Sequence, residues 1–453
     1  MSISDMRFKG KIDIPQDNPF KNDLFGRQML ANKIIELTKA SNDNFIACID
    51  SPYGYGKTTF FDMTMAYANN LPSIEGEDDV ICIKYDAWDN DFFEDPLISI
   101  ISVFHRAIEN YENVNVEDLK IALIDIGMNA TKVLTKGIVN LEKTHRKFKR
   151  ENSKRSVITN YLDHLQSREF IKDTLSNLSK DNSNFKRKKV IFLIDELDRC
   201  KPTYALKFLE VIKHYFDTEK FYFLLTIDKK QLESTVKKHY GADINADEYL
   251  KRFFDFDISL PAIDCDKYIE NYQMDKFSNY TNFDILFKVL RDFTKYNEMS
   301  LRSIDKLMFY LRLISAKVSS DIGTTRDASY HFKSVTYATL LLLKVTYSEL
   351  SKQFFTKKFT DFSPSTDLNV LHLEKLSTDM GNFDSHYLKA LSEFYKILFK
   401  TNANNFKKNS KLYDNIADES SANLLSSVIK CEYEKLRSPI IDNIQLLDII
   451  NSL

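Results

Sequence analysis

The chain has 453 residues, a formal net charge of −2 at pH 7, and 28% charged against 43% hydrophobic residues. This length accommodates two or three domains, and the balanced charge excludes the global basic field typical of nucleic-acid-binding proteins. No apolar signal core begins the chain, and no stretch reaches the ~18 apolar residues of a membrane span, so we expect a cytoplasmic protein without a membrane partner. The five cysteines are scattered, which favours a reducing compartment.

The first elements predicted along the chain are a polar lead-in over residues 1–22, a helix over 28–39 and a buried strand over 45–49. Residues 51–59 then read Ser-Pro-Tyr-Gly-Tyr-Gly-Lys-Thr-Thr, and a helix is expected from 60 to 69. A strand, a glycine-bearing loop ending in Gly-Lys-Thr and a helix form a cradle for phosphate groups. The one departure from the usual pattern is Ser51, which stands at the position of its first glycine.

The chemistry of this loop assigns roles to its residues. Gly54 and Gly56 allow positive φ angles and close approach to a phosphate. Lys57 would reach the β- and γ-phosphates, and the Thr58 hydroxyl would bind Mg²⁺. The candidate nucleotide-binding residues of the loop are Tyr53, Gly54, Tyr55, Gly56, Lys57, Thr58 and Thr59.

A second strand is expected over 80–85, followed by Trp88 and a helix from Pro96 to about 107. Trp88 either braces the phosphate loop or, as the residue type favours, is a buried core aromatic. Residues 108–184 are charged and helical in period, which predicts a helical insertion. Its basic stretch 143–155 is compatible with nucleic-acid binding, but such charge runs are more often solvated, so we do not favour a nucleic-acid partner.

Residues 190–194 form an apolar run that ends in an acidic segment, Asp-Glu-Leu-Asp-Arg at 195–199. Open α/β sheets bind ligands at the carboxyl ends of their strands. Asp195 is therefore expected on the Mg²⁺ side, and Glu196 is placed to orient or activate the attacking water. Asp198 and Arg199 either form a local ion pair at the following helix or act in the chemistry.

Further strands are expected over 221–228 and 253–260, and only helices beyond Pro261. Two arginines are candidates for contact with the nucleotide. Beyond Lys57 the motifs supply no positive charge for the leaving phosphate, so Arg252, just before the last strand, is a candidate that acts on a neighbouring subunit. Arg302, at a later helix start, could reach the nucleotide from a helical lid. Both are equally well explained as surface residues.

Taken together, these segments predict five regions. They are the lead-in and first half of a nucleotide-binding core at 1–107, the insertion at 108–184, the second half of the core at 185–262, a helical lid at 263–320 and a C-terminal helical domain at 321–453.

The chain resembles the KAP family of P-loop NTPases, a branch of the STAND class, over roughly residues 19–315. Glu196 departs from its pattern, because a second Asp is frequent there, and Tyr53 stands where the family usually has Trp. The resemblance rests on six segments that follow one another in the family's order, residues 23–27, 52–58, 85–88, 195–200, 226–228 and 249–253.

The resemblance implies an α/β P-loop core with a parallel sheet, a helical insertion and an all-helical C-terminal region. It also implies that residues 23–27 pack near the nucleotide base and that the segment beginning at Thr226 senses the γ-phosphate. ATP and Mg²⁺ are the implied ligands. Several bacterial members resemble phage-exclusion or defence proteins.

The leading hypothesis is an ATP-hydrolysing conformational or assembly switch. It would engage a protein partner through its C-terminal helical region and form an ATP-dependent homo-oligomer. Two alternatives stay open: a scaffold or signalling module that binds ATP with negligible hydrolysis, and a nucleic-acid-acting motor, against which the neutral charge argues.

Overall fold

The computed structural model describes residues 13–108 and 188–346, with gaps at 75–77, 94, 297 and 325–327, together with positions 169, 173 and 175. The described residues fall into two compact units, one within Lys11–Ala262 and the other within Ile263–Leu453. The predicted insertion, apart from residue 108 and those three positions, lies outside the described residues. So do its basic stretch 143–155 and the C-terminal residues from 347 on.

The described part of the N-terminal unit contains one parallel five-stranded sheet in the order β2-β3-β4-β1-β5. Its inner strands are almost entirely buried, as expected for a sheet covered on both faces. The predicted parallel α/β class is confirmed. The strands are Ile46–Asp50 (β1), Asp79–Asp86 (β2), Lys188–Asp195 (β3), Phe221–Ile227 (β4) and Phe256–Ser259 (β5).

Helices cover the two faces of this sheet, and a 3₁₀ turn, Leu197–Arg199, follows β3. The helix after the phosphate loop begins at Lys57, three residues before its predicted start. The helices bounded within the described residues of this unit are Arg27–Ala40 (α1), Lys57–Asn69 (α2), Ala87–Asn90 (α3), Pro96–Ile108 (α4), Pro202–Tyr215 (α5), Lys229–Tyr240 (α6) and Ala246–Leu250 (α7).

Strand β3 shows how the core is divided between the two faces. Phe192 and Ile194 join a cluster with α4 and α5, whereas Ile191 and Leu193 join a cluster with α1 and α2. This is the alternation expected of a strand. Phe192 stacks on Phe223 of β4 at 4.9 Å between ring centroids, so some of the 34 phenylalanines of the chain fill this core.

A buried lysine ties the start of β3 to the end of α1. The Lys189 ammonium donates hydrogen bonds to the carbonyl oxygens of Thr38, Lys39 and Ser41, at 3.0, 2.6 and 2.8 Å. The last carbonyl groups of a helix lack partners within it and carry partial negative charge. Lys189 therefore satisfies the end of α1 and fixes that helix beside the sheet.

The described part of the C-terminal unit consists of helices, in which polar side chains join neighbouring elements. Asp305 accepts hydrogen bonds from the hydroxyl groups of Tyr268 and Tyr272, at 2.7 Å each. No helix in the described part of the chain is long and apolar enough to span a membrane. The helices are Cys265–Lys276 (α8), Asp284–Tyr296 (α9), Leu301–Ile322 (α10) and Ala328–Thr346 (α11).

Candidate functional site

The loop between β1 and α2 presents backbone N–H groups at a helix start. Ser51 N–H donates to the Ile227 carbonyl at 3.1 Å, which fixes the loop to the end of β4. Gly54 and Gly56 both have φ of 80°, a conformation that favours glycine. No side chain caps the N-terminus of α2. Its first N–H groups therefore suit an anion such as phosphate.

A buried arginine holds this loop from behind. Arg27, the first residue of α1, donates hydrogen bonds to the carbonyl oxygens of Gly56 and Tyr55, at 3.1 and 2.6 Å. Its guanidinium lies 5.0 Å from the centroid of the Phe25 ring. Sequence reasoning placed this lead-in near the nucleotide base and missed its contact with the loop. The only signal for it was the position of Arg27 at the end of the lead-in segment.

Lys57, the first residue of α2, is buried and faces both the loop and the acidic segment. Its ammonium donates to the Ser51 carbonyl at 2.5 Å and lies 3.9 Å from Asp198 Oδ2. Burial lowers the pKa of Lys57, and the nearby carboxylates, Asp198 first among them, oppose that shift. The Asp198 carboxylate also accepts the backbone N–H of Asp228 at 2.9 Å, which links Lys57 to the end of β4.

Asp195, at the end of β3, is buried, and its two carboxylate oxygens differ in their hydrogen bonding. Its Oδ1 accepts the Thr226 hydroxyl at 2.7 Å and the Glu196 N–H at 3.0 Å. Its Oδ2 is buried without a hydrogen-bond partner. A buried carboxylate oxygen of this kind needs a donor or a cation, and Mg²⁺ prefers oxygen ligands. The residues present therefore fit Mg²⁺, and Thr58, in the first turn of α2, stays a predicted second protein ligand.

Glu196 follows β3 in a strained conformation and is paired. Its φ of 60° lies in the left-handed region, which residues with a side chain rarely adopt and which is typical of functional sites. Its Oε1 lies 2.8 Å from Arg199 Nη1. Burial raises the pKa of the Glu196 carboxyl, and the charge of Arg199 opposes that shift.

The partner of Arg199 corrects one expectation. A local ion pair between Asp198 and Arg199 was one reading of the sequence, and it is wrong. In a 3₁₀ turn, residues three apart lie on the same side, which brings Arg199 to Glu196, while Asp198 faces Lys57.

Arg199 also lies against two aromatic rings. Its guanidinium is 5.2 Å from the Tyr53 ring centroid and 5.8 Å from that of Trp88. Trp88 is 52% exposed, so its assignment as a core aromatic is wrong. The reason is that Ala87 is the buried residue of the short helix α3, which leaves the side chain of the next residue, Trp88, exposed. From the sequence, Lys57 was the only obvious cation for the phosphates, and the structure places a second cation, Arg199, against the loop residue Tyr53.

The two arginines that the sequence suggested as nucleotide contacts are Arg252 and Arg302, and both are exposed. Arg252 is exposed between α7 and β5, with its guanidinium 5.9 Å from the Tyr249 ring centroid. Arg302 is exposed in the first turn of α10, in the C-terminal unit. Their roles toward a nucleotide stay predictions, as do those of Tyr55 and Thr59.

The comparison with protein families decides what this arrangement represents. Residues 27–318, more than half of the chain, match the KAP family P-loop domain. The chain belongs to the KAP family of P-loop NTPases. Its phosphate-binding loop and acidic segment both lie within the matched residues, and the loop joins the sheet to α2 as described above.

Among solved structures, this KAP-family chain is similar to that of the Aeropyrum pernix ORC2 protein in ADPNP–ADP complexes. The two share 12% sequence identity with a TM-score of 0.38, and the match covers 98% of each chain. The comparison with curated proteins found no match.

Proposed function

We propose that this KAP-family protein binds ATP with Mg²⁺ in the cytoplasm and hydrolyses it to drive a conformational or assembly switch. The observation that carries the proposal is the state of the Asp195 carboxylate. The Thr226 hydroxyl fixes one oxygen, and the other is buried without a partner, close to a lysine-bearing anion cradle. A cradle for phosphate beside an acid that fits Mg²⁺ is what a nucleoside triphosphate requires.

The residues of the chain would divide the work as follows. The N–H groups of the loop and the Lys57 ammonium would bind the β- and γ-phosphates. Thr58 and Asp195 would hold Mg²⁺, which neutralises charge on the phosphate oxygens when bound. Glu196 would orient the attacking water and accept its proton, and Thr226 would hold Asp195 in place.

The switch would be read out by the residues after about 320, with a protein partner bound at the C-terminal helical region. Support for the cytoplasm comes from the thiols. Cys48, Cys82, Cys200 and Cys265, the cysteines in the described residues, are all free and buried.

Replacement of the proposed base separates an enzyme from a binding module. Glu196→Gln keeps the size of the side chain and removes its charge. We expect near-normal ATP affinity in calorimetry and hydrolysis lowered ~10²-fold or more. Glu210→Gln, an exposed glutamate on α5, is the matched control. If wild type and Glu196→Gln both hydrolyse ATP at the same rate near zero, the ATPase hypothesis is wrong and the protein is an ATP-binding scaffold.

The biological setting proposed with this activity, phage exclusion or defence in bacteria, follows the family resemblance. Plaque counts on host cells that express wild-type or Lys57→Ala protein test it. Protection by wild type alone supports a defence role that depends on the nucleotide site, and equal plaque counts with and without the wild-type protein contradict it.

A further inference from the structure

Arg199 joins three separate parts of the N-terminal unit. It pairs with Glu196 at the end of β3, at 2.8 Å. Its guanidinium lies against Tyr53 of the phosphate loop and against Trp88 of α3, at 5.2 and 5.8 Å from the ring centroids. We call the three side chains Tyr53, Arg199 and Trp88 the arginine stack. It connects the proposed base to the loop that would bind phosphate.

The side chain of arginine suits this position. A guanidinium is planar, so it can lie against aromatic rings while its edge donates to a carboxylate, whereas a lysine ammonium is a point charge. The Arg199 side chain is 27% exposed, so water screens these contacts only in part.

Tyr53 connects the stack to Lys57 as well. The Lys57 ammonium lies 5.3 Å from the centroid of the Tyr53 ring. Burial, together with the negative charge of the nearby Asp198, raises the pKa of Tyr53 to about 12. One loop residue therefore lies against both Lys57 and Arg199.

Glu196 needs an anchor because of its backbone. The left-handed φ of Glu196 stores strain, and such a residue keeps its position only where its surroundings hold it. Arg199 supplies the ion pair that does so, and the 3₁₀ turn places it on the same side.

We propose that Arg199 is a positioning residue that holds Glu196 for hydrolysis and couples it to the phosphate loop through the arginine stack. This inference rests on the proposed ATPase function. Phosphate bound by the loop would shift Tyr53, Tyr53 would shift Arg199, and Arg199 would adjust Glu196. Trp88 lies against the same guanidinium and is the only tryptophan of the chain. Its fluorescence therefore reports the state of the stack.

The test uses the full chain with Arg199→Gln and Arg199→Lys. For Arg199→Gln we expect kcat lowered by up to about 100-fold, as a misplaced catalytic group predicts, with KM and the calorimetric ATP affinity unchanged. The change in Trp88 fluorescence on ATP binding is expected in wild type and lost in Arg199→Gln. Arg199→Lys should restore part of kcat, since it keeps the charge without the planar stack.

Arg291→Gln is the matched control. Arg291 is 26% exposed and forms an ion pair with Glu270 at 3.5 Å. The Arg291→Gln variant therefore loses an equivalent ion pair, but in the C-terminal unit. We expect its turnover and Trp88 response to equal those of wild type. Normal ATP affinity in Arg199→Gln shows that the variant is folded.

Wild-type turnover in Arg199→Gln, or a Trp88 response that persists in it, would overturn the inference. A wild-type protein that binds ATP without hydrolysing it would overturn the proposed function instead. In that case the Trp88 fluorescence titration with ATP alone would test whether the arginine stack couples to the phosphate loop. A Trp88 fluorescence change on ATP binding that is lost in Arg199→Gln and kept in wild type and Arg291→Gln would support this coupling.

Discussion

The Lys57 ammonium lies 3.9 Å from Asp198 Oδ2, so the lysine that would bind phosphate faces a carboxylate of the acidic segment. Asp198 in turn accepts the N–H of Asp228, the residue between β4 and α6. Burial raises the pKa of Asp198, and Lys57 opposes this shift. The two residues thus connect the start of α2, the turn after β3 and the end of β4. Phosphate would have to compete with Asp198 for Lys57.

Lys57→Ala is expected to weaken ATP binding at least tenfold while the protein stays folded. The lost charge-assisted hydrogen bond is worth ~1.5–3 kcal/mol. Calorimetry with ATP measures the affinity, and circular dichroism checks the fold. Lys207→Ala is the control, because Lys207 pairs with Asp95 at 3.5 Å and is 48% exposed. Wild-type affinity in Lys57→Ala would contradict the assignment of the phosphate loop.

The strands of the core are predictable because their signal is local. β1, β3 and β4 are continuous apolar runs, and such runs are typical of a parallel sheet covered on both faces. The last strand was predicted over 253–260 and covers Phe256–Ser259, because Phe253 belongs to the turn before it and packs into the core from there. Apolar character alone does not separate a strand from a buried turn.

The site was less predictable, because its contacts join distant parts of the chain. The motifs identified Lys57 and Asp195 from residue type and spacing. The position of Arg27 at the end of the lead-in did not identify the Gly56 carbonyl as its partner, and no local pattern indicated that Arg199 reaches Tyr53. The latter two residues are 146 positions apart in the sequence, and only the sheet order brings them together.

Thr226→Val is expected to raise the Mg²⁺ concentration that ATP hydrolysis requires. The substitution removes the hydroxyl that donates to Asp195 Oδ1 and keeps the shape of the side chain. Loss of such an outer partner typically lowers metal affinity ~10–100-fold. A Mg²⁺ titration of ATP hydrolysis measures it. Thr64→Val is the matched control, since Thr64 is equally buried and its hydroxyl donates to the Phe60 carbonyl within α2. An unchanged Mg²⁺ requirement would contradict the role of Thr226.

Asp305→Asn is expected to change the dependence of stability on pH. Burial raises the pKa of Asp305, against hydrogen bonds from Tyr268 and Tyr272 and the charge of Arg302. A raised pKa in the folded state means that the stability contributed by this group is complete below its unfolded pKa of about 3.9 and is lost as pH rises through the folded pKa. Asparagine does not titrate, so the variant should gain in Tm relative to wild type across that window.

Calorimetric scans from about pH 4 to about pH 7 measure this difference. Asp275→Asn, at an aspartate whose side chain is 60% exposed, is the control. A Tm difference that stays constant with pH, or that moves in favour of wild type as pH rises, would contradict a raised pKa at Asp305.

The last prediction concerns assembly and rests on Arg252. This arginine is exposed beside β5, an edge strand, and its guanidinium lies against Tyr249. An exposed arginine at the rim of a nucleotide-binding core is available to a neighbouring subunit. If Arg252 acts there, ATP should promote self-association, and Arg252→Ala should lower turnover while sparing ATP binding. Arginine fingers are worth up to ~10³–10⁵ in rate.

Mixing two inactive variants separates this role from an ordinary surface position. Arg252→Ala retains a complete phosphate loop, and Lys57→Ala retains the arginine, so a mixed assembly would contain sites with both. Partial recovery of hydrolysis in the mixture supports a site shared between subunits. Arg106→Ala, at an exposed arginine on α4, is the control and should turn over like wild type. A monomer with full turnover at nanomolar concentration would contradict the hypothesis, and Arg252 would then serve only to cover Tyr249.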